Sequence, residues 1–364
     1  MNYSEKVRRL QDRRLGLYTS TGAYDSVAAL TASRKIEKFA SIGEPASVKY
    51  ALGSMQRVDD EYTKNTYVEG DRVRDRLTEG LSSAGIPAKF EYQGSVPLDV
   101  HVKGNSDIDL LVIHDGFVTV DAEAGKVYSY SNYMGKPATE ELSDLRTESI
   151  AILKRRYYEA KVDTSGSKSI TLSGGSLKRI VDVVPSHWHD TLDWKRTGEK
   201  HHREIFILDS HANARIKNQP FMHIKNVEIK CIKVGGTLRK IIRLLKNLKY
   251  DATPEISLSS YDIAAIAWQM SESELSVPYG VDLLLTERVR THLARVITDD
   301  SYRNSLWVPD GSRRIYDKSE KLSATIRLFG EVNQLVQDIY TELDPLGKLY
   351  NRPNSQVLAK AVYL

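Results

Sequence analysis

The segment that decides the fold reads Ser106-Asp107-Ile108-Asp109-Leu110-Leu111-Val112-Ile113. Its run of aliphatic residues predicts a buried strand. Because strand side chains alternate between the two faces of a sheet, Asp107 and Asp109 project to the same side. Two carboxylates held side by side repel each other, so a fold keeps them best where a cation is shared between them. The spacing therefore predicts a cation site on this strand.

The turn upstream of this strand indicates which ligand the cation serves. It reads Gln93-Gly94-Ser95. A Gly-Ser turn can present backbone N–H groups and a hydroxyl to a phosphate. One or two carboxylates, completed by water and phosphate oxygens, are the ligands typical of Mg²⁺. The turn and the acidic strand together predict a site for a metal and a triphosphate, as in a nucleotidyltransferase.

A third carboxylate, Asp182, lies in the apolar segment Ile180-Val181-Asp182-Val183-Val184. An Asp in the middle of such a strand is costly unless it is paired or bound to a metal. If this strand lies beside the acidic strand, three carboxylates can hold two Mg²⁺ ions and serve an in-line displacement at phosphorus. Asp182 would then also be placed to accept a proton from a nucleotide hydroxyl. The alternative is a surface Asp, or a salt bridge to Arg179.

Composition bounds the protein class. The chain has 364 residues, 41% hydrophobic and 27% charged, with a net charge of +4, which is typical of a globular protein and too weakly basic to coat a nucleic acid. The single cysteine, Cys231, cannot form an internal disulfide and is expected to be a small buried residue in a reducing cytoplasm. No apolar run reaches the roughly 18 residues of a membrane span, and the N-terminus lacks a signal-peptide pattern. We therefore expect a cytoplasmic protein without membrane contact.

Periodicity divides the chain into two lobes. Helical patterns cover residues 1 to about 90, the clearest from Asn65 to Ala84, and a mixture of strands and helices follows to about residue 235. Long helical patterns then cover 237–249, 259–270, 281–298 and 318–343. We predict an α+β protein with a mixed-sheet lobe (1–235), a helical lobe (236–345) and a C-terminal tail (346–364). An N-terminal helix is expected to bridge the lobes, with the ligand in the cleft between them.

In this order, the Gly-Ser turn, Ser-Asp-Ile-Asp-Leu-Leu-Val and Val-Asp-Val-Val-Pro resemble the DNA-polymerase-beta-like nucleotidyltransferase superfamily. The chain looks most like the bacterial cGAS/DncV-like nucleotidyltransferases, which make cyclic di- or trinucleotides as second messengers in anti-phage CBASS defence. The resemblance implies that Asp107, Asp109 and Asp182 are catalytic and bind Mg²⁺, with Mn²⁺ as an alternative. It also implies NTP substrates, ATP among them, and leaves room for a regulatory protein partner. The family's Gly-Thr before the acidic strand is absent here.

The resemblance also implies nucleotide contacts. Gly94, Ser95 and Lys246 match residues that hold the triphosphate, and the other basic residues of the helix around Lys246 are interpreted mostly as a solvated face. Ser260 matches a phosphate contact, although a serine at the start of a helix is as readily a cap. Tyr261 is either a core residue of that helix or a platform on which a base stacks.

Two other functions stay open at the level of sequence. One is linear nucleotidyl transfer to an RNA, a protein or a small molecule, although the small net charge argues against an RNA acceptor. The other is a nucleotide-binding pseudoenzyme, against which the presence of all three carboxylates argues. Base choice, ring size and linkage of the product cannot be read from the sequence.

Four histidines near two tryptophans form a second candidate cluster: His187, His189, His201 and His202. We interpret them as loop or surface residues, with a zinc or base-stacking role as the alternative.

Overall fold

A computed structural model describes residues 2–16, 37–346 and 355–363. Residues 17–36, within the predicted N-terminal helical region, and residues 347–354 of the predicted tail lie outside the described residues. The helices are α1 Tyr3–Leu15, α2 Lys38–Ser41, α3 Ala46–Met55, α4 Asp60–Ser83, α5 Ala122–Val127, α6 Ala138–Arg156, α7 Leu192–Thr197, α8 Pro220–Lys233, α9 Thr237–Asp251, α10 Ser260–Trp268, α11 Glu272–Leu275, α12 Leu284–Thr298, α13 Asp300–Ser305 and α14 Ser319–Leu343. The strands are β1 Ala88–Gln93, β2 Ile108–Val120, β3 Lys161–Asp163, β4 Ile170–Ser173, β5 Val181–Asp190, β6 Glu204–Asp209 and β7 Ala214–Asn218. Short 3₁₀ helices span Lys200–His202 and Ser355–Ala359.

The strands form one mixed sheet in the order β1-β2-β5-β4-β3, and β6 and β7 extend it from the far half of β5. Strands β2 and β5 run parallel, whereas the other pairs are antiparallel. Strands β4 and β5 pair antiparallel, and the turn between them contains Gly174 and Gly175, both at positive φ, a conformation that glycine adopts without steric cost. The sheet thus places the two acidic strands next to each other.

Both faces of β2 are buried. Ile108, Leu110 and Val112 pack with α4 and α6 on one face, because alternate residues of a strand share a face. Leu111 and Ile113 face the other way, into a smaller cluster with Trp188 and Phe221. Burial on both sides explains the uninterrupted apolar run in the sequence.

The helical lobe has its own core, and the N-terminal helices α1 and α3 belong to it. A buried polar network ties them to α9: Arg13 on α1 pairs with Asp251, and the Tyr50 hydroxyl on α3 donates to the same carboxylate at 2.8 Å. Helix α4 instead packs against the sheet. The N-terminal region therefore joins the two lobes, and the predicted α+β architecture is confirmed.

Several features differ from the sequence prediction or go beyond it. Helix α8 and strand β7 were not predicted, although both border the cleft. Leu358 near the C-terminus is fully buried, and the Val362 N–H donates to the Gly280 carbonyl at 2.9 Å. Cys231 is buried, as predicted. None of the helices in the described ranges combines the length and apolar character that crossing a bilayer requires.

The surface assignment is wrong for two of the four histidines. His187 and His189 lie on β5 and are buried. Because side chains alternate along a strand, both project to the same face of the sheet, where the ring of Phe206 on β6 contacts both imidazole rings. Their ring nitrogens bond within the protein: His187 Nδ1 lies 2.9 Å from the Trp188 carbonyl oxygen, and His189 Nδ1 lies 2.8 Å from the Thr119 hydroxyl. Both histidines are therefore interpreted as structural residues of the sheet.

Candidate active site

The carboxylates meet where β2 and β5 begin. The parallel register sets Asp109 opposite Asp182, and Asp107 immediately precedes β2. The Ile108 N–H donates to the Ile180 carbonyl at 3.1 Å and fixes the two strand starts together. Thr171, on the neighbouring strand β4, donates its hydroxyl to Asp182. The structure thus brings the three sequence-predicted carboxylates together along one edge of the sheet, named here the acidic edge.

The carboxylates of the acidic edge are buried and repel one another. Burial raises the pKa of Asp109 well above its usual range, and the charges of Asp107 and Asp182 raise it further. Burial also raises the pKa of Asp182 to about 7, although the Thr171 hydrogen bond opposes the shift; Asp107 adds to it. Such mutual repulsion is relieved when a cation is shared.

The donor set fits a hard divalent cation, because three carboxylates supply oxygen ligands and net negative charge. Within the described ranges, no three His, Cys, Asp or Glu side chains already converge on a single ion position. Asp182 instead accepts the Thr171 hydrogen bond. Shared binding of one metal ion by all three carboxylates would therefore require a change of side-chain conformation.

The Gly-Ser turn closes against the acidic edge. Gly94 has φ +79°, and a Cβ at this position would lie 2.1 Å from the Asp109 Oδ2 atom, so only glycine fits. The Val100 N–H donates to the Ser95 carbonyl at 3.0 Å and closes the loop. The Ser95 hydroxyl has no protein partner in the described part of the chain, which leaves it available to a ligand.

A cavity of about 330 Å³ opens between the acidic edge and the helical lobe. Its volume lies in the range of small-molecule sites. Seven of the eight sequence-predicted site residues line it: Gly94, Ser95, Asp107, Asp109, Lys246, Ser260 and Tyr261. The eighth, Asp182, adjoins the cavity through its contact with Asp107.

Lys246 crosses from α9 to the acidic edge. Its side chain is almost fully buried, and its Nζ donates to the Val100 carbonyl at 2.9 Å and to the Ser106 hydroxyl at 3.3 Å. Burial lowers the pKa of Lys246 to about 7, and the nearby charges of Asp107 and Asp109 oppose this shift. A buried amine beside the carboxylates is suited to bind a phosphate.

The basic face of α9 is not solvated, contrary to the sequence interpretation. Arg239 Nε donates to the Leu98 carbonyl at 2.9 Å, and Arg243 Nη1 donates to the Asp99 carbonyl at 2.6 Å. With Lys246, these side chains form a clamp on three consecutive carbonyls of the loop between Ser95 and Ser106; we name it the loop clamp. The loop clamp therefore holds in place the loop in which the family's Gly-Thr is absent.

Two cavity residues come from the start of α10. Ser259, not Ser260, caps this helix by accepting the Asp262 N–H at 3.0 Å. Ser260 lines the cavity, where its side chain forms a hydrogen bond with that of Tyr250. The Tyr261 hydroxyl donates to Asp310, and its ring stacks on the ring of His223 at 4.3 Å.

Sequence reasoning missed three polar residues of the cavity: Asn218, His223 and Tyr250. The first two lie on β7 and α8, neither of which was predicted, so nothing in the sequence directed attention to them. Tyr250 directly follows the predicted helical pattern 237–249; α9 extends to Asp251 and places Tyr250 one turn beyond Lys246.

The chain is similar to several curated proteins, although no family model matches it. It is 32% identical over 360 residues to a cyclic dinucleotide synthase CdnE of Yersinia aleksiciae, covering 94% of this chain and 93% of that protein. It is 32% identical over 283 residues to a c-di-GMP synthase of a Lachnospiraceae bacterium, covering 71% of this chain and 79% of that protein. Among solved structures, the STING-associated CdnE c-di-GMP synthase from Capnocytophaga granulosa superimposes with a TM-score of 0.70 and 26% identity, covering 93% of this chain and 98% of that chain.

The fold and the carboxylate site define a nucleotidyltransferase with a polymerase-beta-like catalytic lobe. The sequence identity of 32% to the Yersinia aleksiciae protein, which extends over 94% of this chain, then shows the family. The chain belongs to the CdnE cyclic dinucleotide synthases, within the cGAS/DncV-like nucleotidyltransferases.

Proposed function

We propose that this enzyme uses Mg²⁺ to join two molecules of GTP into a cyclic dinucleotide, which serves as a messenger in anti-phage defence. The observation that supports the metal-dependent chemistry is the meeting of three carboxylates, two of which line a cavity of about 330 Å³. Support for GTP comes from relatives that are named c-di-GMP synthases.

In the proposed reaction, a ribose hydroxyl of one nucleotide attacks the α-phosphorus of the other, and pyrophosphate leaves. Repetition within the linear intermediate closes the ring. Asp107, Asp109 and Asp182 would hold the divalent cation, which would supply positive charge to the reacting phosphates. Asp182, at the edge of the cavity, accepts the proton of the attacking hydroxyl. Its place on β5, opposite Asp109, suits that role.

The remaining site residues position the substrate. Gly94, Ser95, Lys246 and Ser260 bind the triphosphate, since the Ser95 hydroxyl is unpartnered among the described residues and Lys246 places its amino group at the cavity beside Ser106. Tyr261 offers its ring to the base, as both tyrosine and a nucleobase have stacking faces.

The test is product analysis with radiolabelled NTPs and Mg²⁺, alone and in mixtures. A phosphatase-resistant product from GTP alone, absent with a chelator and with Asp182→Ala, is the expected result. A product whose label phosphatase releases would instead indicate linear transfer. Nucleotide binding without turnover, unchanged by carboxylate removal, would indicate the pseudoenzyme. A resistant product that requires ATP would overturn the choice of GTP.

A further inference from the structure

The cavity lining falls into two chemically different sets. One set contains the acidic edge, the Gly-Ser turn and Lys246, and it suits a metal and phosphates. The other set is mainly apolar and aromatic, with Pro220, Ile224 and Ala264 around Tyr261. Two polar side chains, Asn218 and His223, belong to this second set. An apolar wall with a few placed polar groups is the usual environment of a nucleobase.

Asn218 presents a hydrogen-bond donor to the cavity. It is the last residue of β7, and its side-chain Oδ1 accepts the Gln219 N–H at 3.0 Å. This bond fixes the amide orientation, because the Nδ2 group could not accept a hydrogen. The Nδ2 amino group has no protein partner in the described ranges. At this position the cavity therefore offers N–H donors.

His223 presents a second donor. Its side chain is about 5% exposed, and burial lowers its pKa to about 4, so the ring is neutral and carries one N–H. The Nδ1 atom is buried without a hydrogen-bond partner among the described residues. A buried N–H without a partner is rarer and costlier than an unused acceptor. The proton is therefore assigned to Nε2, which becomes the donor.

Two donors match one purine better than the other. Guanine carries two adjacent acceptors, O6 and N7, on one edge, whereas adenine places an amino donor next to N7. A donor that faces the adenine amino group would leave two N–H groups opposed and unpaired. We propose that Asn218 and His223 read the base in this cavity and select guanine over adenine. This inference rests on the proposed function, since it assigns the substrate specificity of the same site.

The experiment compares equilibrium binding of α,β-methylene GTP and α,β-methylene ATP in the presence of Mg²⁺. Wild-type protein is expected to bind the guanine analogue at least tenfold more tightly, the scale of one well-placed polar contact. Asn218→Asp keeps the shape and the bond to Gln219 but replaces the donors with an acceptor. It is expected to lower the guanine preference by about tenfold or more.

The matched control is Asn213→Asp, which makes the same change on an exposed residue in the turn that leads into β7. It is expected to leave the preference unchanged. Two further variants remove a donor without adding charge: Asn218→Ala, and His223→Phe, which keeps a ring against Tyr261. Each is expected to lower the preference about tenfold, and unfolding midpoints identify any variant that does not fold.

An unchanged guanine-to-adenine ratio in the folded variants, or wild-type protein without preference, would overturn the inference. Failure of the proposed function gives a different result. In that case wild-type protein forms no cyclic product, yet the binding preference and its dependence on Asn218 persist.

Discussion

The two sides of the catalytic cavity are built on opposite principles. The acidic edge gathers like charges from adjacent strands of one sheet, and burial raises the pKa of Asp109 and Asp182. The loop clamp gathers cations from α9 and gives two of them, Arg239 and Arg243, carbonyl partners more than 140 residues away in sequence. Charge repulsion destabilises the acidic edge in the absence of a cation, whereas hydrogen bonds to backbone carbonyls stabilise the loop clamp.

This contrast shows how stability and function are divided between the lobes. Carboxylates that repel one another contribute nothing to folding until a cation arrives. Cations bonded to loop carbonyls contribute to folding whether or not a nucleotide is bound. Changes on the acidic edge should therefore reduce activity without unfolding the protein, and changes in the clamp should reduce stability first.

The largest effect is expected on the acidic edge. Asp182→Asn preserves an acceptor for the Thr171 hydroxyl but removes the charge, and it should lower product formation about 10³-fold. The unfolding midpoint should stay constant or rise, because a repelling buried charge is lost. Quantitative product chromatography and thermal unfolding measure the two effects. Asp115→Asn is the control, since Asp115 lies on the neighbouring strand β2 but is exposed and paired with Lys89 at 2.9 Å. Retention of more than a tenth of the activity in Asp182→Asn would contradict the assignment.

Lys246 belongs to both sides of the comparison, so its replacement should affect both properties. Lys246→Met should lower kcat/KM for the nucleotide about 10²-fold, because a charge-assisted phosphate contact is lost. It should also cost about 1–3 kcal/mol of stability, as the Val100 carbonyl loses its donor. Lys240→Met on the same helix removes an ion pair with Asp282 and should leave kcat/KM within about twofold of the wild-type value. Equal losses in both variants would show that Lys246 has no specific role.

Arg243 belongs to the loop clamp but does not line the cavity, so its replacement tests the contribution of the clamp to stability. Its guanidinium is buried and also donates to the Met55 carbonyl at 2.9 Å, so Arg243→Met should lower the free energy of unfolding by about 3 kcal/mol. The half-buried Arg239 donates one hydrogen bond to the described residues, and Arg239→Met should cost about 1 kcal/mol. Urea unfolding curves measure both. The free energy of unfolding should fall more in Arg243→Met than in Arg239→Met. A larger loss in Arg239→Met would contradict the proposed role of the clamp in stability.

The smallest effect concerns metal binding without nucleotide. Mg²⁺ should stabilise the wild-type protein by about 1–3 kcal/mol at concentrations well above its dissociation constant, because it relieves repulsion among the carboxylates. A chelator should reverse this gain. Asp109→Asn should show a smaller gain, whereas Arg239→Met should show the full one. An equal response to Mg²⁺ in wild-type and Asp109→Asn would place the ion elsewhere.

Much of the acidic edge could be predicted from the sequence. The alternation of side chains along β2 and β5 is a local property, so Asp107, Asp109 and Asp182 could be assigned to strand faces without knowing the rest of the fold. That the two strands lie side by side was a condition of the interpretation, and the structure shows that β2 and β5 are neighbours. The site roles of these residues, and the lobe boundaries near residues 235 and 345, stay predictions.

The helical side was less accessible. The helical pattern 237–249 correctly predicted α9. Its basic residues were wrongly interpreted as solvated, because their partners are backbone carbonyls, which no side-chain pattern reveals. Asn218 and His223 were missed because their positions depend on β7 and α8, for which the sequence offered no clear periodic signal.

The sequence by itself determined the two acidic strands, most of the long helices and the three carboxylates, since each depends on residues that are near one another in the chain. Only the tertiary structure decided which loop α9 holds and which polar side chains of β7 and α8 line the cavity. Those features depend on hydrogen bonds between segments far apart in sequence, and the geometry of such bonds exists only once the lobes have packed together.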